Sequence, residues 1–316
     1  MEDALFHQGE LTLQDRVGSR ERLSMAAAKL IRPVLSEKHQ AFFSALPWVL
    51  LAGQDPTGRL WASLRYGEPG FIRVLAPDVV QIHGQALTDD PLAGAWRPGQ
   101  VVAMLGLAAH IQRRNRVNGI ILEVNDGGII LSVQQSYGNC PKYITPRLIS
   151  LRPLREPQQS WPVETGQSLS ATARALIQTA DTLFIASAHP GEASASRRAQ
   201  GADISHRGGD AGFVGIQPDG SLVLPDYSGN QYFNTLGNIL LNPQVGLLLI
   251  DTATARPLWI RAEAHLCDDP GTVAKFPRAE RLLILSVTEW RLAHSALPLC
   301  WQPAPQDGCE SLSHVG

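Results

Sequence analysis

The chain has 316 residues, 44% of them hydrophobic and 18% charged, with a formal net charge of −2. This is the composition of soluble globular domains, and the length points to two of them. The near-neutral balance, without a long basic run, excludes general electrostatic binding of nucleic acid, and no apolar run approaches the roughly 18 residues of a membrane span.

Residues 1–35 read as an N-terminal arm with one helix, whose apolar stripe includes Leu23, Ala27, Leu30 and Ile31. The opening "MEDALFHQGELTLQDR" is acidic and lacks the apolar core of a signal peptide, so a cytoplasmic protein is the default expectation. Within it, His7 and Glu10 are placed either to cover a site or simply to tie the arm down.

The next element opens with Ser36, an N-cap candidate for a short helix carrying Ala41, Phe42 and Ala45 at helical spacing. Pro47 ends it, and an apolar β-rich run follows. The tight turn "QDPTGR" then leads to "SLRYGEPGFI" at 63–72, with later strands at 101–106, about 116–124 and 129–135. Residues 151–169, rich in Pro and Gln, read as a linker.

After the linker the pattern returns. Ser170 opens a helix with Ala175, Leu176 and Thr179, Asp181 breaks it, and a β-rich run follows at an offset of 134. The loop "HPGEASASRRAQGAD" takes the place of "QDPTGR". "SHRGGDAGFV" at 205–214 then matches "SLRYGEPGFI" at an offset of 142, and "PQVGLLL" at 243–249 resembles "GQVVAML" at 99–105 at an offset of 144. Three collinear matches argue for an internal duplication. The domains are therefore an arm, 1–35; a first repeat, 36–150; a linker, 151–169; a second repeat, 170–300; and a tail, 301–316. Short strands divided by Asp-Gly and Gly-Gly turns indicate small antiparallel barrels, including second-repeat strands at 245–250 and 258–266. Neither a dinucleotide-binding G-x-G-x-x-G nor a phosphate-binding P-loop occurs.

The sharpest polar constellation is in the second repeat. Ser205, His206 and Arg207 precede two glycines, and Asn230, Asn234, Thr235 and Asn238 surround a turn that feeds a short helix. Helix amides, neutral donors and one forked guanidinium suit an anion, most naturally phosphate. Gly208 and Gly209 give room for a close backbone approach to a ligand. The same residues also serve plain turns and caps, and the local pattern leaves both readings open. At the matching place the first repeat carries Asp89 and Asp90, which repel phosphate.

"SHRGGDAGFV" followed by "LPDYSGNQYFNTLGNILLNPQVGLLLID" resembles the pyridoxamine 5′-phosphate oxidase-like family of FMN-binding split barrels. "RRNRVNG" at 113–119 and "QSYGNCPKYI" at 135–144 are similar to segments of its relatives. The resemblance implies a mostly-β fold of tandem antiparallel split barrels with short helices, forming a pseudo-dimer within one chain. It implies FMN with its phosphate at Arg207 and the 230–238 turn, and Arg116 and Asn118 across the groove. The Lys that many members place in the polar turn is replaced here by Asn234 or Thr235, so the phosphate depends on Arg207 and neutral donors. The function implied is that of an FMN oxidoreductase on a small molecule, reduced by a nicotinamide or another donor. The alternatives are a haem-handling split barrel or a non-catalytic flavin carrier. The assembly is a monomeric pseudo-dimer or a homodimer.

Cys140 is the candidate reactive thiol, because Lys142 beside it favours a thiolate. The plainer reading of Cys140, a small residue packed beside a turn, is preferred. Cys267, Cys300 and Cys309 have no C-x-x-C spacing, and His83, His110, His189, His265 and His294 have no ligand spacing, so no metal is assigned. Trp290 with Arg291 suits either packing on the flavin edge or, preferably, a place for Trp290 in the core.

Overall fold

The computed structural model describes residues 5–152, 161–191 and 198–304. Cys309 and most of the tail lie outside the described residues. The arm holds two helices rather than one, α1 (Gln8–Arg16) and α2 (Arg20–Leu30). The reason is local: Gly18 takes a left-handed φ of 64° between them. Leu23, Ala27 and Ile31 are buried against Phe6, Tyr137 and Tyr232, whereas Leu30 is 57% exposed and leaves the expected stripe.

The helices that open the two repeats start where the hydroxyl caps predict. Ser36 Oγ accepts from His39 N at the head of α3 (Glu37–Ser44), and Ser170 Oγ accepts from Ala173 N at the head of α4 (Ala171–Thr179). Each cap fills one of the orphan amides of a helix too short to persist without tertiary packing.

The first sheet contains β1 (Trp48–Gln54), β2 (Leu60–Tyr66), β3 (Ile72–Ala76), β4 (Val79–Ile82), β5 (Val101–Ala108), β6 (Arg113–Asn125) and β7 (Gly128–Asn139), in the order β2-β1-β5-β6-β7-β4-β3. β8 (Arg147–Leu151) leaves it, and β9 (Glu164–Gly166) turns part of the expected linker into an edge strand. The second sheet contains β10 (Thr182–Ala188), β11 (Ala202–Gly208), β12 (Gly215–Ile216), β13 (Leu222–Tyr227), β14 (Gln244–Ile250), β15 (Pro257–Cys267) and β16 (Ala279–Leu292), in the order β11-β10-β14-β15-β16-β13-β12. β17 (Leu299–Pro303) pairs with β8, so residues 301–303 form a strand edge and not a tail. Between β13 and β14 runs helix α5 (Asn234–Leu241).

The two strand orders are the same, and both are antiparallel paths with two free ends, open sheets in the manner of the expected split barrels. The ladders also give residue equivalences. Leu51 pairs with Ser63 and Met104, as Ile185 pairs with Ser205 and Leu247. The first two offsets of the sequence matches hold in the ladders. The third is 143 rather than 144, because Met104 corresponds to Leu247.

Packing between the sheets is reciprocal. β11 lies against β1, β5 and β6; β2 lies in return against β10, β14 and β15; β1 and β10 face each other. Such reciprocity is the mark of an isologous contact about a two-fold axis. Phe184, Leu248 and Trp259 of the second sheet share one core with Trp48, Leu50 and Trp61 of the first. Each such fully buried large side chain contributes roughly 1.5–3 kcal/mol of transfer energy, so the halves are energetically one body.

Candidate functional site

One junction between the sheets opens into a cleft, whose free space together with the adjoining open solvent is about 900 Å³. β6 supplies Arg114 and Arg116, two residues apart and therefore on one face of the strand. β11 supplies Ser205, His206 and Arg207, and the 138–143 turn adds Asn139, Cys140, Lys142 and Tyr143. The polar turn contributes Asn230, Asn234 and Thr235. Asn118 and Asn238 do not line the cleft; they sit behind it.

Behind the cleft is a buried ion pair that spans the two halves. Arg116, 3% exposed, donates from Nη1 to Asp203 Oδ1 at 2.7 Å and to Tyr137 Oη at 3.1 Å, and from Nη2 to Ser205 Oγ. Asn118 Nδ2 reaches Asp203 Oδ1 at 2.8 Å, and Asn238 Nδ2 reaches Asp203 Oδ2 at 3.0 Å. Burial pushes the Asp203 carboxyl up, against the pull of Arg116. Burial would lower the Arg116 guanidinium, but Tyr137 and Asp203 outweigh it and hold it above its usual value. Arg116 and Asn118 thus come across the junction as expected, but they are committed to Asp203.

The polar turn differs from its sequence reading. Neither Asn234 nor Thr235 caps α5; its N-cap is Phe233, left-handed at φ 62° with no side-chain cap. Asn234 Oδ1 accepts from Tyr137 Oη at 3.2 Å and its Nδ2 donates to Glu10 Oε1 at 2.5 Å. Thr235 donates to Ser205 Oγ at 2.9 Å, and Asn230 Oδ1 closes the turn onto Tyr232 N at 3.1 Å. Gln231 and Tyr143 also have positive φ, so three strained non-glycine residues line this one cleft. Such strain concentrates at functional sites.

The glycines serve the protein rather than a ligand. A Cβ on Gly208 would collide with the Tyr143 carbonyl, so its absence lets the 138–143 turn close on β11; a Cβ on Gly209 would strike Phe213.

Charge is distributed differently from expectation as well. Arg207 Nη1 donates to Asp226 Oδ1 at 2.5 Å, and Arg281 donates to Asp226 Oδ2 at 2.9 Å. Among the described residues, the arginine of the cleft without a carboxylate is Arg114, which the sequence reading passed over. Among the described residues its contacts are His206 Nδ1 at 2.9 Å and the His206 carbonyl at 3.2 Å. Burial first, then Arg116 and Arg207, bring it down to about 10. Because a guanidinium only donates, His206 Nδ1 accepts and Nε2 carries the ring proton. Burial, followed by Arg114, holds His206 well below its usual range and therefore neutral.

Arg114 Nε, Arg116 Nε, Arg207 Nε and Asn139 Nδ2 are buried N–H donors without protein acceptors. All four belong to cleft-lining residues. Five cationic side chains face two carboxylates there. Spare donors and excess positive charge suit a phosphate, and flanking Tyr143, Tyr227 and Phe233 suit a planar ring. Cys140 lies in the same wall, half-buried, with its sulfur 3.5 Å from Lys142 N.

The arm supports the turn from outside. Gln14 Nε2 donates to Tyr232 O at 3.3 Å, Arg22 to Gln231 Oε1 at 2.6 Å, and Phe6 meets Tyr232 edge-on. His7 caps α1, and burial, followed by the nearby His189, lowers it to about 4. Glu10 is fully enclosed; burial, then Asp203, raises its carboxyl well above the usual range. The described part of the arm ties down the turn, and none of its residues lines the cleft.

The related junction on the other side keeps Ser63 and Arg65 at the ladder positions of Ser205 and Arg207 but differs at the positions behind them. Asp203, Arg116, Asn118 and Arg114 correspond on the ladders to Trp61, Trp259, Arg261 and Pro257. Trp61 and Trp259 are fully buried, and Arg261 lies over the Trp61 ring at 5.7 Å. Asp90, expected to repel phosphate, is buried and accepts from Ser63 Oγ and Leu92 N; Asp89 accepts from His294 N. Trp290 belongs to the second core, with Nε1 bonded to Ser168 O. No group of three or more His, Cys, Asp or Glu suited to a metal occurs among the described residues.

Searches of protein-family models and of curated proteins find no match to this chain. Solved structures similar to it include pyridoxamine 5′-phosphate oxidase-like and flavin-binding proteins. A putative pyridoxamine 5′-phosphate oxidase from Lactobacillus delbrueckii is 16% identical, over 40% of this chain and 94% of its own, at a TM-score of 0.30. An FAD-binding protein from Mesorhizobium loti is 12% identical, over 42% and 98%, at 0.29. HupZ from Group A Streptococcus is 10% identical, over 40% and 96%, at 0.31. No described helix is long and apolar enough to cross a membrane.

Proposed function

We propose that the chain is a flavin-dependent oxidoreductase that binds one FMN in the Arg114–Arg207 cleft. The observation that carries this reading is Arg114: a half-buried guanidinium with a buried, unfilled Nε–H and no carboxylate partner among the described residues, beside further unfilled N–H donors. An uncompensated buried charge is costly, and a phosphate would offset it. Phe233, Asn234, Thr235 and Leu236 at the N-terminus of α5 line the same wall, and a helix N-terminus favours an anion.

Bound flavin would supply hydride and single-electron exchange; the side chains bind, orient and tune. Arg116 is locked by Asp203, which Asn118 and Asn238 hold in turn, so its unpartnered Nε–H has a fixed direction. Excess positive charge favours anionic states of whatever lies in the cleft. His206 offers a neutral N–H donor.

The identical strand orders and reciprocal packing support a duplicated split barrel acting as its own pseudo-dimer. Trp61 and Trp259 fill the second junction, which supports one site per chain. The small-molecule substrate and a nicotinamide or other reductant remain the partners of this reading, and the cytoplasm its location.

The test is visible absorption of the purified protein, mass spectrometry of any released ligand, and titration of ligand-free protein with FMN and with riboflavin. FMN binding at least tenfold tighter than riboflavin is expected. Equal affinities would remove the phosphate from the Arg114 end. Bound flavin that no reductant reduces would make the chain a carrier.

A further inference from the structure

Across His206 from the cleft lies a second chamber, whose free space together with the adjoining open solvent is about 1020 Å³. Trp48, Leu107, Ile149, Phe184, Ile250 and Trp301 give it apolar walls drawn from both halves and from the β8–β17 pair. Trp48 bonds its indole N–H to Leu107 O at 3.2 Å, so it offers the chamber only an apolar surface. The charged pair in the wall is closed on itself: Arg147 grips Asp181 in a fork at 2.9 and 2.6 Å. Asp251 accepts from Ala253 N and Thr254 Oγ1 within its own turn. Trp48, Leu107 and Ile149 also border a groove that runs out past Phe42 to Leu148 and Ile111, which are exposed apolar residues. His206 belongs to the walls of both the cleft and the chamber. Arg114 fixes its tautomer, leaving Nε2–H as the ring's donor.

We propose that this chamber binds an uncharged small molecule with an aromatic body and a carbonyl, which His206 Nε2–H engages. A carboxylate would either break the Arg147–Asp181 fork or sit beside Asp181 and Asp251 with threonine hydroxyls but no free cation among the described residues of the wall, so charge is selected against. An aromatic body matches the walls of Trp48, Phe184 and Trp301. The molecule's role as the flavin's reaction partner rests on the reading of the cleft; its binding does not.

The experiment titrates the full chain, with and without FMN, against 2-acetylnaphthalene and against 2-naphthoate, by calorimetry. The ketone is expected to bind once per chain and the carboxylate at least tenfold more weakly. Ala180→Trp, which fills the chamber, should weaken the ketone at least tenfold and leave FMN affinity unchanged. Ala253→Trp at the exposed rim gives the same comparison should the first variant not fold. His206→Phe should weaken the ketone severalfold but not naphthalene. Equal binding of the two probes, ketone affinity unchanged in the filled variants, or displacement of the ketone by FMN would each overturn the proposal. Ketone binding in a protein that takes no FMN would leave the chamber standing and remove the flavin reading; FMN binding without the ketone would do the reverse.

Discussion

Asp203 and Trp61 occupy the same ladder position in the two sheets, Asp203 opposite Ser187 on β10 and Trp61 opposite Gly53 on β1. One anchors a guanidinium beside a cleft; the other fills the equivalent space with an indole. The pair makes the two junctions chemically different within a symmetric topology.

Flavin stoichiometry should accordingly be one per chain. Trp61→Ala opens a cavity in a fully buried site and should cost about 3–5 kcal/mol of stability. It should leave FMN affinity of the folded protein unchanged. Denaturant melts with parallel FMN titrations check both, and two FMN per chain would refute the asymmetry.

Arg114→Ala should weaken FMN by about 1.5–3 kcal/mol, the scale of a hydrogen bond to a charged group. Arg207→Ala should cost less, because Asp226 already holds one arm of Arg207 and keeps Arg281 as partner. Arg65→Ala should act on stability alone, since Arg65 is buried beside Leu64 O and Leu92 O in the other half. Fluorescence titration ranks the three; Arg207 as the costliest would restore the phosphate placement read from sequence.

Much of this site was legible in sequence because it is local. Ser36 and Ser170 cap where hydroxyls should, and the 205–207 and 230–238 clusters converge because one strand and one turn carry them. Asp203 was missed because it ends a Ser/Ala/Gly-rich loop in the sequence. Its period-two spacing from Ser205 and Arg207 was the available signal. Arg114 was passed over within "RRNRVNG" because nothing local tells which arginine finds a carboxylate; Asp203 lies 87 residues from Arg116. Glu10 meets Asn234 across 224 residues, where no periodicity speaks.

Glu10 makes stability depend on pH in a definite direction. Its folded carboxyl is raised well above the ordinary 4.5, so the native state holds a proton that the unfolded chain releases. That contribution is complete below about pH 4.5 and declines as pH rises toward the folded value. His7, lowered to about 4 from 6.5, acts oppositely between those values. Glu10→Gln keeps a neutral side chain at every pH and retains the His7 contribution. The variant should therefore gain on the wild type as pH rises from 5 to 8. Urea melts at the two pH values measure this, and a constant difference would show Glu10 to be ionised in the fold.

The Arg116–Asp203 pair gives the most demanding test, because stability and binding should separate. Asp203→Ala leaves a guanidinium in the junction with Tyr137 and Ser205 but no counter-charge. Breaking a buried pair in this way costs about 3–5 kcal/mol, much of it from the stranded charge. Arg116→Met strands Asp203 instead, although Asn118 and Asn238 still reach its carboxylate, so the penalty should be smaller. Arg116→Met with Asp203→Leu strands neither and fills the space with apolar volume; its stability should exceed that of Asp203→Ala. If the pair serves the cleft, the double variant should still lose FMN affinity or shift the flavin potential despite its recovered stability. A double variant with wild-type affinity and potential would make the pair a purely structural joint between the halves.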